Sequence, residues 1–190
     1  MYSLIKPTEL DIQTFIATQR ERRFSYVEVG ATQGTLPDGY TVDHNRIQLG
    51  SGEATFERAK AAMRQWEMFH LGWLQLCWPN TPLTEGATVA VLAHALGLWS
   101  LNACRIVYLI DEAGPIEKFG FAYGTLPEHA ERGEERFCLE WQQADNTVWY
   151  DILAFSRPNQ LLAKMGYPYV RYLQKCFGRD SKQAMLRVVV

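Results

Sequence analysis

Residues 119–158 read FGFAYGTLPEHAERGEERFCLEWQQADNTVWYDILAFSRP, and their alternation admits few folds. Successive side chains of a strand point to opposite faces, so an apolar period of two marks a sheet with one buried side. Phe119, Phe121, Tyr123 and Thr125 share one face; Gly120, Ala122 and Gly124 share the other. Phe137, Leu139 and Trp141 alternate with Glu134, Arg136, Cys138, Glu140 and Gln142, the pattern of a half-exposed antiparallel strand. Ala144, Asp145 and Asn146 then form a hairpin turn, and residues 147–155 return as the last strand. The Gly120/Ala122/Gly124 face is almost bare backbone. It lets something approach closely, a packed helix or a ligand, and helix packing is the commoner reason for such a face.

The rest of the chain supplies what such a sheet packs against. Residues 8–23 carry Leu10, Ile12, Phe15 and Ile16 at helical spacing, with Thr8 and acids at the start and arginines at the end. Residues 24–40, dense in Gly, Pro and Thr, read as an ordered loop that clasps the body through Phe24, Tyr26 and Tyr40. A strand over 40–49 breaks at Gly50, Ser51 and Gly52, where Ser51 is placed to cap a helix over 53–65 that buries Phe56, Ala59 and Met63. Residues 66–78 are apolar on both alternating sets, which predicts a strand covered on both faces. Strands over 88–96 and 98–111 follow. Ser156 is expected to cap the terminal helix, with Pro158 in its first turn. That helix is interrupted at Gly166-Tyr167-Pro168, where Pro168 imposes a kink, and continues through Val170, Leu173 and Phe177 toward Met185.

This order predicts an α+β helix-grip fold, a seven-stranded curved antiparallel sheet wrapped around a long C-terminal helix. Residues 1–190 are expected to form one domain, with residues 1–39 as a helix and loop extension. A cavity between sheet and helix is a common by-product of that arrangement. The aromatic share, 13 % with six Trp, is enough to fill a core, line a cavity or sit at a membrane interface.

Other classes have little to stand on. A formal net charge of -2 with no basic run argues against nucleic acid. Cys77, Cys104, Cys138 and Cys176 contain no CxxC pair, so they read as free thiols rather than zinc ligands. No secretory signal and no integral membrane segment of about 18 apolar residues is visible, so a cytoplasmic protein is expected. No cofactor motif appears: GxSxG, Walker and GxGxxG patterns are missing.

The densest polar stretch, EHAERGEER, offers Glu128, His129, Glu131, Arg132, Glu134, Glu135 and Arg136. It reads chiefly as a hydrogen-bonded charged connection and secondarily as an acid–base site, with His129 as base beside Glu134 or Glu135 and no metal. Arg105 and Arg157 are expected to pair with carboxylates such as Asp151, Glu135 or Glu140, or to hold an anionic head group. His70 and His94 read as satisfied core histidines. The leading expectation is a small apolar or amphipathic ligand, with Phe121, Tyr123, Trp141 and Trp149 as walls and Tyr150, His129 or Arg157 as polar anchors. An enzyme using the same cavity is the alternative, and a membrane-associated or pore-forming barrel is a third.

The segments FGFAYGTLPEHAERGEERFCLEW and AFSRP, with FSYVEVGATQGTLPDGY, RIQLGSGEATFERAKAAMRQWEMFHLGW and LWSLNACRIVYLIDE, resemble a domain-of-unknown-function family (DUF nineteen-ninety) of bacteria and plants. GTLP, His129, GEERF and FSRP are the specific part of the match, which covers nearly the whole chain. That family is similar at the fold level to the START and Bet v 1-like (SRPBCC) helix-grip proteins, whose members bind lipids, hormones and polyketides or, less often, catalyse cyclisation or hydrolysis in the same cavity. The resemblance implies the fold and a cavity; it implies no particular ligand or reaction.

Overall fold

Seven strands form one curved antiparallel sheet in the computed structural model, which describes residues 1–189. They are β2 (Thr41–Ser51), β3 (Leu74–Leu76), β4 (Thr88–Ala95), β5 (Leu98–Glu112), β6 (Ile116–Thr125), β7 (Glu131–Gln142) and β8 (Thr147–Pro158). Their order is β2-β8-β7-β6-β5-β4-β3, so strands three to eight meander and β2 returns beside the last. The two-residue β1 (Tyr2–Ser3) pairs with Trp99 and Ser100, on a stretch of β5 that β6 does not reach.

The turns follow from local chemistry. Leu96 and Gly97 both have positive φ, the two-residue geometry whose twist matches a hairpin, and they join the pair Ala95↔Leu98. Register shifts at Gln48/Gly50 and at Ile106/Tyr108 mark bulges, which increase local twist and help the sheet curl.

Four helices complete the fold. α1 (Glu9–Gln19) begins in a capping box: the Asp11 amide donates to Thr8 Oγ1 while Thr8 N–H donates to the Asp11 carboxylate. It packs Phe15 and Ile16 on Ala90, Leu92, Leu101 and Ala103, the convex side of β4 and β5. α2 (Glu53–Arg64), α3 (Leu161–Met165) and α4 (Tyr167–Val189) lie on the concave side or at its rim. There Phe56, Met63, Trp66, Met68, Phe69 and Met185 meet Phe121, Phe137, Leu139 and Tyr150 from the sheet. Each such buried side chain contributes about 1.5–3 kcal/mol, so this cluster is the main stabilising mass. Gly178 lets α4 sit close on β2, because a Cβ there would lie 2.7 Å from Asn45 Nδ2.

Several details depart from the sequence reading. Residues 66–78 form a 3-10 turn at Glu67–Phe69 and only a three-residue strand, because Trp66 adopts positive φ and buries its ring instead of extending. Gly52, not Ser51, caps α2; Ser51 is still in β2. Strand β8 runs on through Pro158, so Ser156 caps nothing and its hydroxyl accepts from Gln174 Nε2 at 2.9 Å. The helix break falls at Gly166, between α3 and α4, with Pro168 in the first turn of α4 where its missing N–H is harmless.

The bare face of β6 is met by the N-terminal loop and by the neighbouring backbone, not by a helix. The Tyr26 ring of the N-terminal loop lies over Gly124, where a Cβ would meet its hydroxyl at 2.1 Å, and Gly120 faces the β7 backbone just as closely. Arg105 pairs with no carboxylate among the described residues: it donates to the Gln19 and Arg20 carbonyls at the end of α1 and lies over Phe24. His70 and His94 are exposed, His70 bonded to Glu67 and His94 stacked on Trp99.

Candidate functional site

A cavity of ≈ 400 Å³ lies between the concave face and α4. Strand alternation decides what faces it. In β2 the residues Thr41, Asp43, Asn45 and Ile47 are half-buried while Val42, His44, Arg46 and Gln48 are exposed, a clean period of two. The same count in β7 puts Glu131, Gly133 and Glu135 inward with Phe137, and in β8 puts Ile152, Ala154 and Ser156 inward. α4 closes the cavity with Tyr169, Val170, Leu173, Gln174 and Phe177. At one end the lining includes Leu96 and Leu98, which are 79 % and 39 % exposed, so the cavity meets solvent beside the β4–β5 hairpin. The other end stops at the aromatic stack of Phe69, Phe137 and Phe177.

Of the residues singled out from sequence, Tyr123, His129 and Glu135 line this cavity. The Tyr123 hydroxyl donates to Glu135 Oε2 at 2.8 Å. Burial raises Glu135 to about 7, only partly offset by that hydrogen bond. His129 lies with Nδ1 3.0 Å from both N and O of Glu131, and burial lowers it to about 4, so the ring is neutral near pH 7. Phe121 and Tyr150 belong to the solid core at 0 % exposure, with the Tyr150 hydroxyl 3.0 Å from Ser181 Oγ. Trp141 packs over Phe56 and donates to Asn146 Oδ1, away from the cavity.

Trp149, Arg157 and Glu134 lie on the opposite face of the sheet. Alternation turns Trp149 and Arg157 outward with Phe155; Arg46 stacks on Trp149 at 4.6 Å, and Arg157 lies 4.4 Å over the Tyr40 ring. The Glu134 carboxylate receives Tyr26 Oη and the Gly30 amide, each at 2.7 Å, on one oxygen and the Thr32 amide and hydroxyl, at 3.0 and 2.5 Å, on the other. It is a saturated anchor for the loop before β2, with no lone pair left to act as a base. Next to it Asp151 bridges His44 and Arg136, and Arg136 reaches the Thr32 carbonyl, so the convex face carries a continuous polar network.

Glu131 is the residue that sequence reasoning did not single out from its cluster. It is 7 % exposed, burial raises its carboxyl above the ordinary range, and neither oxygen has a hydrogen-bond partner. Counting back in steps of two from Phe137 gives both Glu135 and Glu131 the inward face, which was the available signal. Asp43 is held by Arg171 of α4 at 2.5 and 2.6 Å. Among the described residues no three His, Cys, Asp or Glu side chains gather as metal ligands, and no helix is long and apolar enough to cross a membrane. A lipid-facing barrel wall would need an apolar outer band, whereas β2, β7 and β8 present His44, Arg46, Asp151, Arg136 and Glu140 outward.

Comparison with known proteins agrees with this architecture. A hypothetical protein from Helicobacter pylori has a similar crystal structure, with a TM-score of 0.50 at 10 % identity, covering 88 % of this chain and 96 % of that one. In sequence the chain is 39 % identical to a UPF0548 protein of Dictyostelium discoideum, over 100 % of this chain and 96 % of the relative. It is 38 % identical to a UPF0548 protein of Deinococcus radiodurans, over 98 % of each. The model of the domain of unknown function DUF1990 matches residues 25–184, from the loop before β2 to the last turns of α4, and the chain belongs to that family.

Proposed function

We propose that the protein binds a small amphipathic molecule in the cavity between the sheet and α4. The observation that carries this is the cavity itself: ≈ 400 Å³, walled mainly by apolar side chains, with a few polar groups directed inward, the usual make-up of a small-molecule site. We read residues 1–190 as one domain whose extension, residues 1–39, braces mainly the outside of the sheet, with Tyr2 reaching the cavity lining. All four cysteines are free, in keeping with a reducing compartment such as the cytoplasm.

Native mass spectrometry on gently purified protein tests the reading. The expected result is an added mass of a few hundred daltons, on the scale of a drug-sized ligand, that vanishes on denaturation and is missing from Ala154→Trp, which fills the cavity. No adduct, together with no binding of the neutral dye N-phenyl-1-naphthylamine, would sink it. A second reading, general acid–base chemistry at the same place, is favoured by Glu135, because a carboxyl near 7 is poised to take up and release a proton at neutral pH. Its signature is turnover that Glu135→Gln abolishes while binding persists.

A further inference from the structure

The charges that face the cavity are all of one sign. Asp43, Glu131 and Glu135 direct their carboxyls toward it, and among the described lining residues there is no Lys or Arg. One of the three is already paired, Asp43 with the bidentate Arg171. The other two are not. Glu131, 7 % exposed on the inward face of β7, has no well-formed hydrogen bond at either oxygen; Ser156 and Gln174 bond each other beside it, and the nearby Arg171 guanidinium, already engaged by Asp43, only partly offsets its burial. Glu135, one inward pair further along the strand, accepts one hydrogen bond, from Tyr123, at Oε2, and Oε1 has no partner among the described residues.

Buried carboxyls without a counter-charge destabilise a fold, and native chains normally pair them. Glu134, next in sequence to Glu135 but on the far face, is instead satisfied by four neutral hydrogen-bond donors. A cation inside the cavity would complete Glu131 and Glu135. The walls around Glu135 suit a cation as well, because the rings of Tyr123, Phe69, Phe177 and Tyr169 line the same space and offer electron-rich faces. A fatty-acid-like anion would instead meet like charge in a site of low dielectric.

Resting on the ligand-binding reading above, we propose that the cavity takes an amphipathic amine. Its protonated amino group is received at the free oxygen of Glu135 beside the Tyr123 hydroxyl, with Glu131 adding a second carboxyl to the same cavity, and its apolar body lies along Leu173, Ile152 and the aromatic walls.

Isothermal titration of the full-length protein with decylamine, decanol and decanoate at neutral pH tests it, since the three probes share one tail and differ in head group. Decylamine is expected to bind roughly tenfold or more tighter than decanol, on the scale of one charge-assisted hydrogen bond, with decanoate weakest. Glu135→Gln is expected to bring the amine-to-alcohol ratio to about one. Glu131→Gln, a second variant in case the first perturbs folding, is expected to lower the same ratio. Decanol or decanoate binding as tightly as decylamine overturns the amine assignment and leaves the cavity reading standing. If none of the three binds, the cavity reading fails and the amine assignment with it.

Discussion

Glu134 and Glu135 are neighbours on one strand and live in opposite worlds. Glu134 faces the convex side and receives four donors, two of them backbone amides of the loop before β2. Glu135 faces the concave side and receives one. A saturated carboxylate holds structure together; an under-satisfied one marks where the fold has given up stability, which is how functional groups are commonly held. The largest effect expected from breaking this contrast is at Glu134. Glu134→Ala strands the Tyr26 hydroxyl and the Gly30 and Thr32 amides, and should lower stability by roughly 3 kcal/mol or more in urea unfolding, with faster amide exchange at Gly30 and Thr32. Unchanged stability would show that ring packing, Tyr26 against Phe155, holds the loop without the carboxylate.

At Glu135 the sign reverses. Its native carboxyl keeps a proton up to about 7, whereas the unfolded one releases it near 4.5, so between those values the folded state binds more protons and stability falls as pH rises. His129 acts the other way: unfolded it takes up a proton near 6.5, folded only near 4, so its contribution to stability grows as pH rises through that window. The two overlap and partly cancel in the wild-type chain, which makes the variant the clean reading. Glu135→Gln removes the burial penalty of the charged form and should raise stability above pH 7 by about 1–3 kcal/mol, discounted for water in the cavity, with little change at pH 4. Thermal unfolding at several pH values checks it; a variant less stable than wild type above pH 7 would mean that Glu135 is charged and satisfied in the empty protein.

Much of this contrast was legible in the sequence, and the part that was not has a definite cause. Period-two alternation gave the strands β4 to β8 and their order, Thr8 gave the start of α1 and Gly166 the break before α4, because these signals are local. The 66–78 segment misled because a buried 3-10 turn is as apolar as a buried strand, and periodicity alone does not separate them. For the site, alternation distinguishes two faces but not which of them carries the cavity when both are partly covered. Tyr123 and Glu135 fell on the cavity side; Trp149 and Arg157, equally aromatic or charged, fell on the convex one. Glu134 read as a base because its donors come from a loop 102 to 108 residues away, a contact that no local pattern encodes.

Trp149 offers the smallest and most discriminating test of the two-face picture. It is half-buried on the convex side of β8, with the Arg46 guanidinium 4.6 Å over its ring and its indole N–H bonded to Thr147 Oγ1 at 2.9 Å. Arg46 also pairs with Glu140 at 2.5 Å, so Trp149→Ala removes the stacking contact and the indole hydrogen bond to Thr147 and leaves the ion pair. Truncation should lower stability by about 0.5–1 kcal/mol, the scale of a cation–π contact near the surface, and should leave affinity for N-phenyl-1-naphthylamine unchanged. Leu173→Ala, a truncation on the cavity side of α4, should alter dye affinity instead. Dye binding that drops with Trp149→Ala and not with Leu173→Ala would move the ligand to the convex face, where Glu134, Arg136 and Asp151 would have to part to admit it.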